Sequence, residues 1–165
     1  MGDRLTPNWT TTAAEAYGAS GDIGRRGEVL VCSKLNQAGL LAQDFEEQYK
    51  EQVAGIDISV NGCTIDVKAN LHNQQFWIET GTQGWLFNPR KTSHIILHVD
   101  ISTEEVVWYP RLQAVTFIRR SASPDSLVHI TTDKFRSNFM SRSWDNLFIF
   151  LQGDKCSQPS ETVSG

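Results

Sequence analysis

The chain has 165 residues, a length that suggests one domain. Its hydrophobic content of 39% with 10% aromatic residues excludes a disordered or low-complexity protein. The formal net charge of −4 weighs against a protein that coats nucleic acid by bulk electrostatics.

Residues 1–20, rich in Thr, Ala, Gly and Ser, carry no usable period and are expected to form a flexible arm. Ile23 to Ala38 reads as a helix stopped by Gly39, with Ile23, Leu30, Val31, Leu35 and Ala38 on one apolar stripe. Glu28 lies at the edge of that stripe, where a carboxylate needs a partner. Arg25 could be that partner, and so could a site assembled with the acids further along. From Leu40 to Ala54 the chain is a connector or a short strand near Ala42 to Glu46, with Glu46 and Glu47 solvated.

Gly55 to Lys68, GIDISVNGCTIDVK, is a tight β-hairpin. Asn61-Gly62 is a strong turn signal because a type I′ turn needs φ > 0 at both central residues. Flanking period-two alternation puts Ile56, Ile58, Val60, Cys63, Ile65 and Val67 on one face, and Asp57, Ser59, Thr64, Asp66 and Lys68 on the other. A two-residue turn pairs Val60 with Cys63, Ser59 with Thr64, Ile58 with Ile65 and Asp57 with Asp66. Two carboxylates directly opposite, with Cβ atoms about 5 Å apart, destabilise a sheet. Either one stays protonated or a hard divalent cation binds between them. Two acids and a lysine on one strand face suit metal-assisted attack of water on a phosphodiester.

After a polar loop, Phe76 to Thr80 (FWIET) reads as a third strand whose Glu79 is either exposed or near the acids. Gly81 to Lys91 is a loop in which Trp85 and Phe87 adjoin Arg90 and Lys91, a mixture that suits stacking on bases and gripping phosphates, or else plugs the core. Ser93 to Val99 is apolar enough for a central strand, and Glu105 to Tyr109 is another. Pro110 opens a helix with Leu112, Val115 and Ile118 buried, closed by Arg119 and Arg120. Leu127 to Thr131 is a short strand, Leu147 to Leu151 a strand or short helix, and residues 152–165 a polar tail. The four histidines show no ligand spacing; His72 is a weak candidate and His94, His98 and His129 are strand residues. Three distant cysteines argue against a disulfide framework or zinc site, with Cys32 and Cys63 read as buried thiols. With no apolar signal-peptide core and no bilayer-length apolar run, the expected location is cytoplasmic.

The order of elements, with Asp57, then Asp66-Val67-Lys68, and Glu28 on the preceding helix, resembles the PD-(D/E)xK nuclease superfamily. The segment GRRGEVLVCSKLNQAGL is similar to the glutamate-bearing helix of archaeal Holliday-junction resolvases and of small homing endonucleases, and EVVWYPRLQAV resembles the strand and proline-led helix of the latter. The likeness spans roughly residues 21–120, within a domain expected over 21–151. Ile56 stands where the family name has proline. The resemblance implies an α/β fold with a restriction-endonuclease-like core, a central mixed sheet flanked by helices in αβββαβ order. It also implies a metal-dependent DNA endonuclease, structure-specific or site-specific. Asp57, Asp66, the Val67 carbonyl and Glu28 would hold Mg²⁺, with Mn²⁺ able to substitute, and Lys68 would orient the attacking water. Arg25, Arg26, Arg90 and Lys91 become candidates for holding DNA, and a homo-oligomer is expected, since two strands need two sites. Two other readings stand beside it: a non-catalytic nucleic-acid-binding protein on the same scaffold, and a small α/β domain whose acids are merely exposed.

Overall fold

The computed structural model describes residues 19–44, 56–71, 76–79, 91–121, 129–131, 140–153 and 156. The N-terminal arm up to residue 18, Glu46, Glu47, His72, Trp85, Phe87 and Arg90 lie outside the described residues, as does the tail from 157 on.

A helix, α1 (Ala19–Gln37), leads into five strands of one mixed sheet. These are β1 (Gln43–Asp44), β2 (Ile58–Val60), β3 (Cys63–Asn70), β5 (Ile95–Asp100) and β6 (Val106–Pro110), hydrogen-bonded in that spatial order. Neighbours are antiparallel except β3 and β5, which run parallel. A parallel pair needs a crossover connection. That connection carries β4 (Trp77–Glu79), which pairs with β7 (His129–Thr131) in a separate two-stranded sheet. Trp77–Glu79 of the expected FWIET strand thus form a strand, but not one of the main sheet, and Glu79 stands opposite His129. No helix is described between β3 and β5, where the αβββαβ order would put one. Two more helices follow, α2 (Arg111–Ser121) and α3 (Trp144–Gln152).

The hairpin turn is as expected: Asn61 has φ 50° and Gly62 φ 81°, the left-handed pair that a type I′ turn demands. Val60–Cys63, Ser59–Thr64 and Ile58–Ile65 pair in the expected register. One sheet face meets Val31 and Leu35 of α1 and Leu147 and Leu151 of α3, burying them with Ile58, Val60, Ile65, Val67, Ile95, Leu97 and Val99. Gly27 is where α1 comes closest to β3. A Cβ there would lie 2.4 Å from the Ala69 Cβ, so only glycine allows the approach. The other face buries Ile96, Val107 and Tyr109, while α2, which contacts β6, buries Ala114 and Val115. Val115 is buried as expected, but Leu112, expected beside it, is exposed and Ala114 is buried instead.

One further expectation is corrected. Cys63 and Cys156 form a disulfide, leaving Cys32 as a half-buried thiol. The two residues are 93 positions apart, so spacing gave no hint. They meet because α3 folds back beneath the hairpin, where Asn61 Nδ2 donates to the Leu151 carbonyl at 3.0 Å. Of the strand or short helix expected at Leu147 to Leu151, the helix is found, over Trp144–Gln152; its N-cap is Ser143, whose Oγ accepts from Asn146 N–H. Among the described residues no helix is long and apolar enough to cross a membrane.

Candidate active site

The ladder between β2 and β3 breaks at Asp57. Its N–H donates to the Ile65 carbonyl at 2.9 Å, although Ile65 already faces Ile58. Two residues against one is the pattern of a β-bulge, a device that re-aims side chains. The Asp57 carboxylate then accepts the Val67 N–H at 2.8 Å, standing in for a backbone carbonyl. Asp57 and Asp66 are thus not a directly opposed pair, as the simple register implies. The bulge exchanges a like-charge opposition for a main-chain donor.

Asp66 is the buried centre of the group. Lys68, two residues on and on the same strand face, places Nζ 3.3 Å from Asp66 Oδ1. Asp66 Oδ2 is buried without a hydrogen-bond partner. From α1, Glu28 reaches the same locus, close enough to Asp57 for each carboxylate to disfavour the other's charge or share a proton with it. Burial pushes the Glu28 carboxyl up to about 7, against the opposing pull of Arg25. Burial likewise holds Asp57 well above the usual carboxylate range, reinforced by the charges of Asp66 and Glu28. Asp66 is raised by burial too, with Lys68 and, more distantly, Lys91 pulling the other way. Glu28, Asp57, Asp66 and Lys68 therefore converge from two separate stretches of chain into one electrostatically coupled group.

The proposed nucleic-acid contacts fare differently. Arg25 points inward: its Nη1 lies 2.6 Å from Asp44 Oδ2 and 3.2 Å from Glu28 Oε1. It is a counter-ion of the site, and not a surface grip. Arg26 is on the outer face of α1, 3.9 Å from Asp22. Lys91 is half-buried and within electrostatic reach of Asp66.

Three residues escaped the sequence reading. Asp44 is on the two-residue strand β1, which falls in the short strand offered near Ala42 to Glu46, but nothing local marks it as a site residue. His98 is opposite Lys68 in the parallel register of β3 and β5, on the same sheet face. Its Nε2 is 2.9 Å from the Tyr109 hydroxyl, and the Phe76 ring lies against it. Burial, helped by the Lys68 cation, drives His98 down to about 3, so it stays neutral beside the ammonium. Burial and the Asp66 charge push the Tyr109 phenol well up. The one available signal was parity: His98 falls on the Lys68 side of an otherwise apolar strand.

Among the described residues, no group of three or more His, Cys, Asp or Glu side chains is placed so that it could hold a metal ion between them. The arrangement offers two adjacent carboxylates, one of them with an orphaned buried oxygen, and a third carboxyl held nearby by arginine. That donor set suits a hard cation that retains several of its waters, as Mg²⁺ does, better than one needing a full protein cage. No family model matches the chain, and no curated protein or solved structure matches it.

Proposed function

We propose that this chain is a divalent-cation-dependent DNA endonuclease, carrying a restriction-endonuclease-like form of the α/β fold and belonging with the PD-(D/E)xK nucleases. The observation that carries the reading is the convergence of Glu28, Asp57, Asp66 and Lys68 on one locus, with Asp66 Oδ2 left buried and unpartnered. The fold is in keeping with it: a helix, three antiparallel strands, then a parallel fourth. An unpaired buried carboxylate oxygen is costly, and a cation is the simplest group to satisfy it.

Asp57, Asp66, the Val67 carbonyl and Glu28 would hold Mg²⁺ or Mn²⁺, which supplies a lowered water pKa and neutralises charge on the scissile phosphate. Asp57, pinned by the Val67 N–H, keeps one carboxylate at a fixed angle to the other. Lys68 is about one-third exposed, so its ammonium reaches both Asp66 and a bound substrate. There it orients the attacking water and stabilises charge developing on the phosphoryl oxygens. Neutral His98 behind it adds no competing charge. Lys91 is the described cation best placed to hold a neighbouring phosphate. Cutting both strands of a duplex calls for two copies of the chain.

The test is cleavage of a labelled panel in Mg²⁺: duplex, four-way junction, single strand and random-sequence library. Wild type is expected to cut at least one substrate, and Asp66→Ala and Lys68→Ala to lose at least about 10²–10³ of that rate. DNA bound but uncut in Mg²⁺ and Mn²⁺ would make the protein a non-catalytic binding scaffold. DNA neither cut nor bound would leave the acids as sheet residues only.

A further inference from the structure

Arg25 has one guanidinium nitrogen between two carboxylates, and the closer of them is not Glu28. Nη1 is 2.6 Å from Asp44 Oδ2 and 3.2 Å from Glu28 Oε1. The side chains of Arg25, Asp44 and Glu28 are only 17%, 22% and 17% exposed, so water screens these contacts poorly. Asp44 is held from the other side of the site: β1 pairs with β2, and Asp44 stands opposite Ile58, the neighbour of Asp57. Four groups thus follow in a chain from edge to centre: Asp44, Arg25, Glu28, Asp57.

This order poses a problem for Glu28 that Asp44 resolves. A carboxylate that turns toward a cation at Asp57 and Asp66 must loosen its hold on Arg25. Removing one partner of a poorly solvated ion pair leaves the other charge uncompensated, which is strongly unfavourable. Asp44, with the shorter contact, keeps Arg25 compensated whichever way Glu28 turns. Without Asp44, Arg25 would lose the shorter of these two carboxylate contacts.

We propose that Asp44 is a positioning residue for the divalent-cation site: it holds Arg25 so that Glu28 is free to serve the ion. This rests on the cation-dependent reading above. Asp44 does not itself ligate; it acts through Arg25, as partners behind metal ligands do when they orient them.

The experiment is Mn²⁺ binding to the full chain, followed by electron paramagnetic resonance, with melting measured in the absence of metal. Asp44→Asn is expected to weaken Mn²⁺ binding about tenfold, in the range found for residues that support metal ligands. Asp44→Glu, which keeps the carboxylate, should recover most of the affinity. In an Arg25→Met background the same Asp44→Asn change should matter less than about threefold, since the group it acts through is gone. An equal loss in both backgrounds would mean that Asp44 contributes only through-space charge, and overturns the proposal. So does an Asp44→Asn variant that binds Mn²⁺ like wild type, or one that unfolds without metal, which would make the pair purely structural. Wild type that binds no Mn²⁺ at all removes the cation reading itself, and this inference with it. Wild-type binding that is indifferent to these substitutions removes the inference alone.

Discussion

The two faces of β3 are built on opposite terms. Cys63, Ile65 and Val67 point into a core closed by α1 and α3, where contact is apolar and no group needs a partner. On the other face of the same strand, Asp66 is 3% exposed, and the sheet neighbours on that side include His98 and Tyr109 at 1% and 0%. Burial of apolar surface stabilises at about 25 cal/mol per Å². Burial of a carboxyl, an imidazole and a phenol opposes folding unless each is neutral or paired. Here Tyr109 pairs with His98, His98 is kept neutral, and the acids resist ionisation. A domain that only had to fold would have no use for the second face. One face holds the sheet together; the other holds charges ready for something to bind.

The sharpest way to test that division is to attack the apolar face where it is cross-linked. The Cys63–Cys156 bond closes a loop with a sequence separation of 93 residues, and bonds closing loops of this order contribute about 3–5 kcal/mol. Reduction, or Cys156→Ser, should lower the melting temperature of the chain by many degrees, read in thermal melts with and without reductant. Cleavage chemistry on the far face should survive below the new transition. Melts that ignore reductant would mean that Cys63 is the buried thiol its sequence position suggests.

That bond also marks how far the sequence could be read. The hairpin was legible because its information is local: Asn61-Gly62 sets the turn, the turn sets the register, and period two sets the faces. Asp57 was legible as a site residue but not in its geometry. Alternation cannot anticipate a bulge, which arises only when a carboxylate can compete for the Val67 N–H. Glu28 stood out because it lies at the border of an apolar helical stripe. Contacts that depend on where distant elements dock left no trace. The Cys63–Cys156 pair, the Asp44–Arg25 contact and the exclusion of Trp77–Glu79 from the main sheet are all of that kind. The full setting of Arg25 was hidden for the same reason. The pairing of Arg25 with Glu28 was legible from their spacing on the helix and is found, whereas the second carboxylate is known only once β1 is seen to deliver Asp44.

The polar face can be probed with a smaller perturbation. Tyr109→Phe deletes one hydroxyl and keeps the ring, taking the partner from His98 Nε2. Losing a partner from a buried polar atom costs about 1–3 kcal/mol. Urea denaturation at pH 7 should show that loss with an unchanged dependence on denaturant. A neutral result would mean that His98 finds another partner, and that the face is less finely matched than its geometry suggests.

The finest distinction is in pH, since the acid cluster that Glu28 joins from α1 titrates near neutrality and the apolar core does not. Glu28 has a folded pKa of about 7, raised by burial from an ordinary 4.5. A carboxyl raised in the folded state favours folding most fully below pH 4.5, and that contribution fades as pH climbs through 7. His98 runs the other way: depressed to about 3, it favours folding above pH 6.5 and loses that contribution as pH falls toward 3. The two overlap in the wild-type profile, so the informative quantity is a difference. Stability of wild type minus that of Glu28→Gln, without divalent cations, should increase as pH falls from about 7.5 to 4.5. The change should be on the order of 1 kcal/mol, because Asp57 and Arg25 readjust when Glu28 is removed. Adding Mg²⁺ should raise the difference at its alkaline end and so flatten its increase toward acid, since an ion that requires ionised carboxylates competes with the proton. A difference that stays flat with pH would mean that Glu28 is already ionised against Arg25 in the folded chain. The locus would then be an ordinary ion pair, and the contrast between the two faces of β3 would lose its chemical meaning.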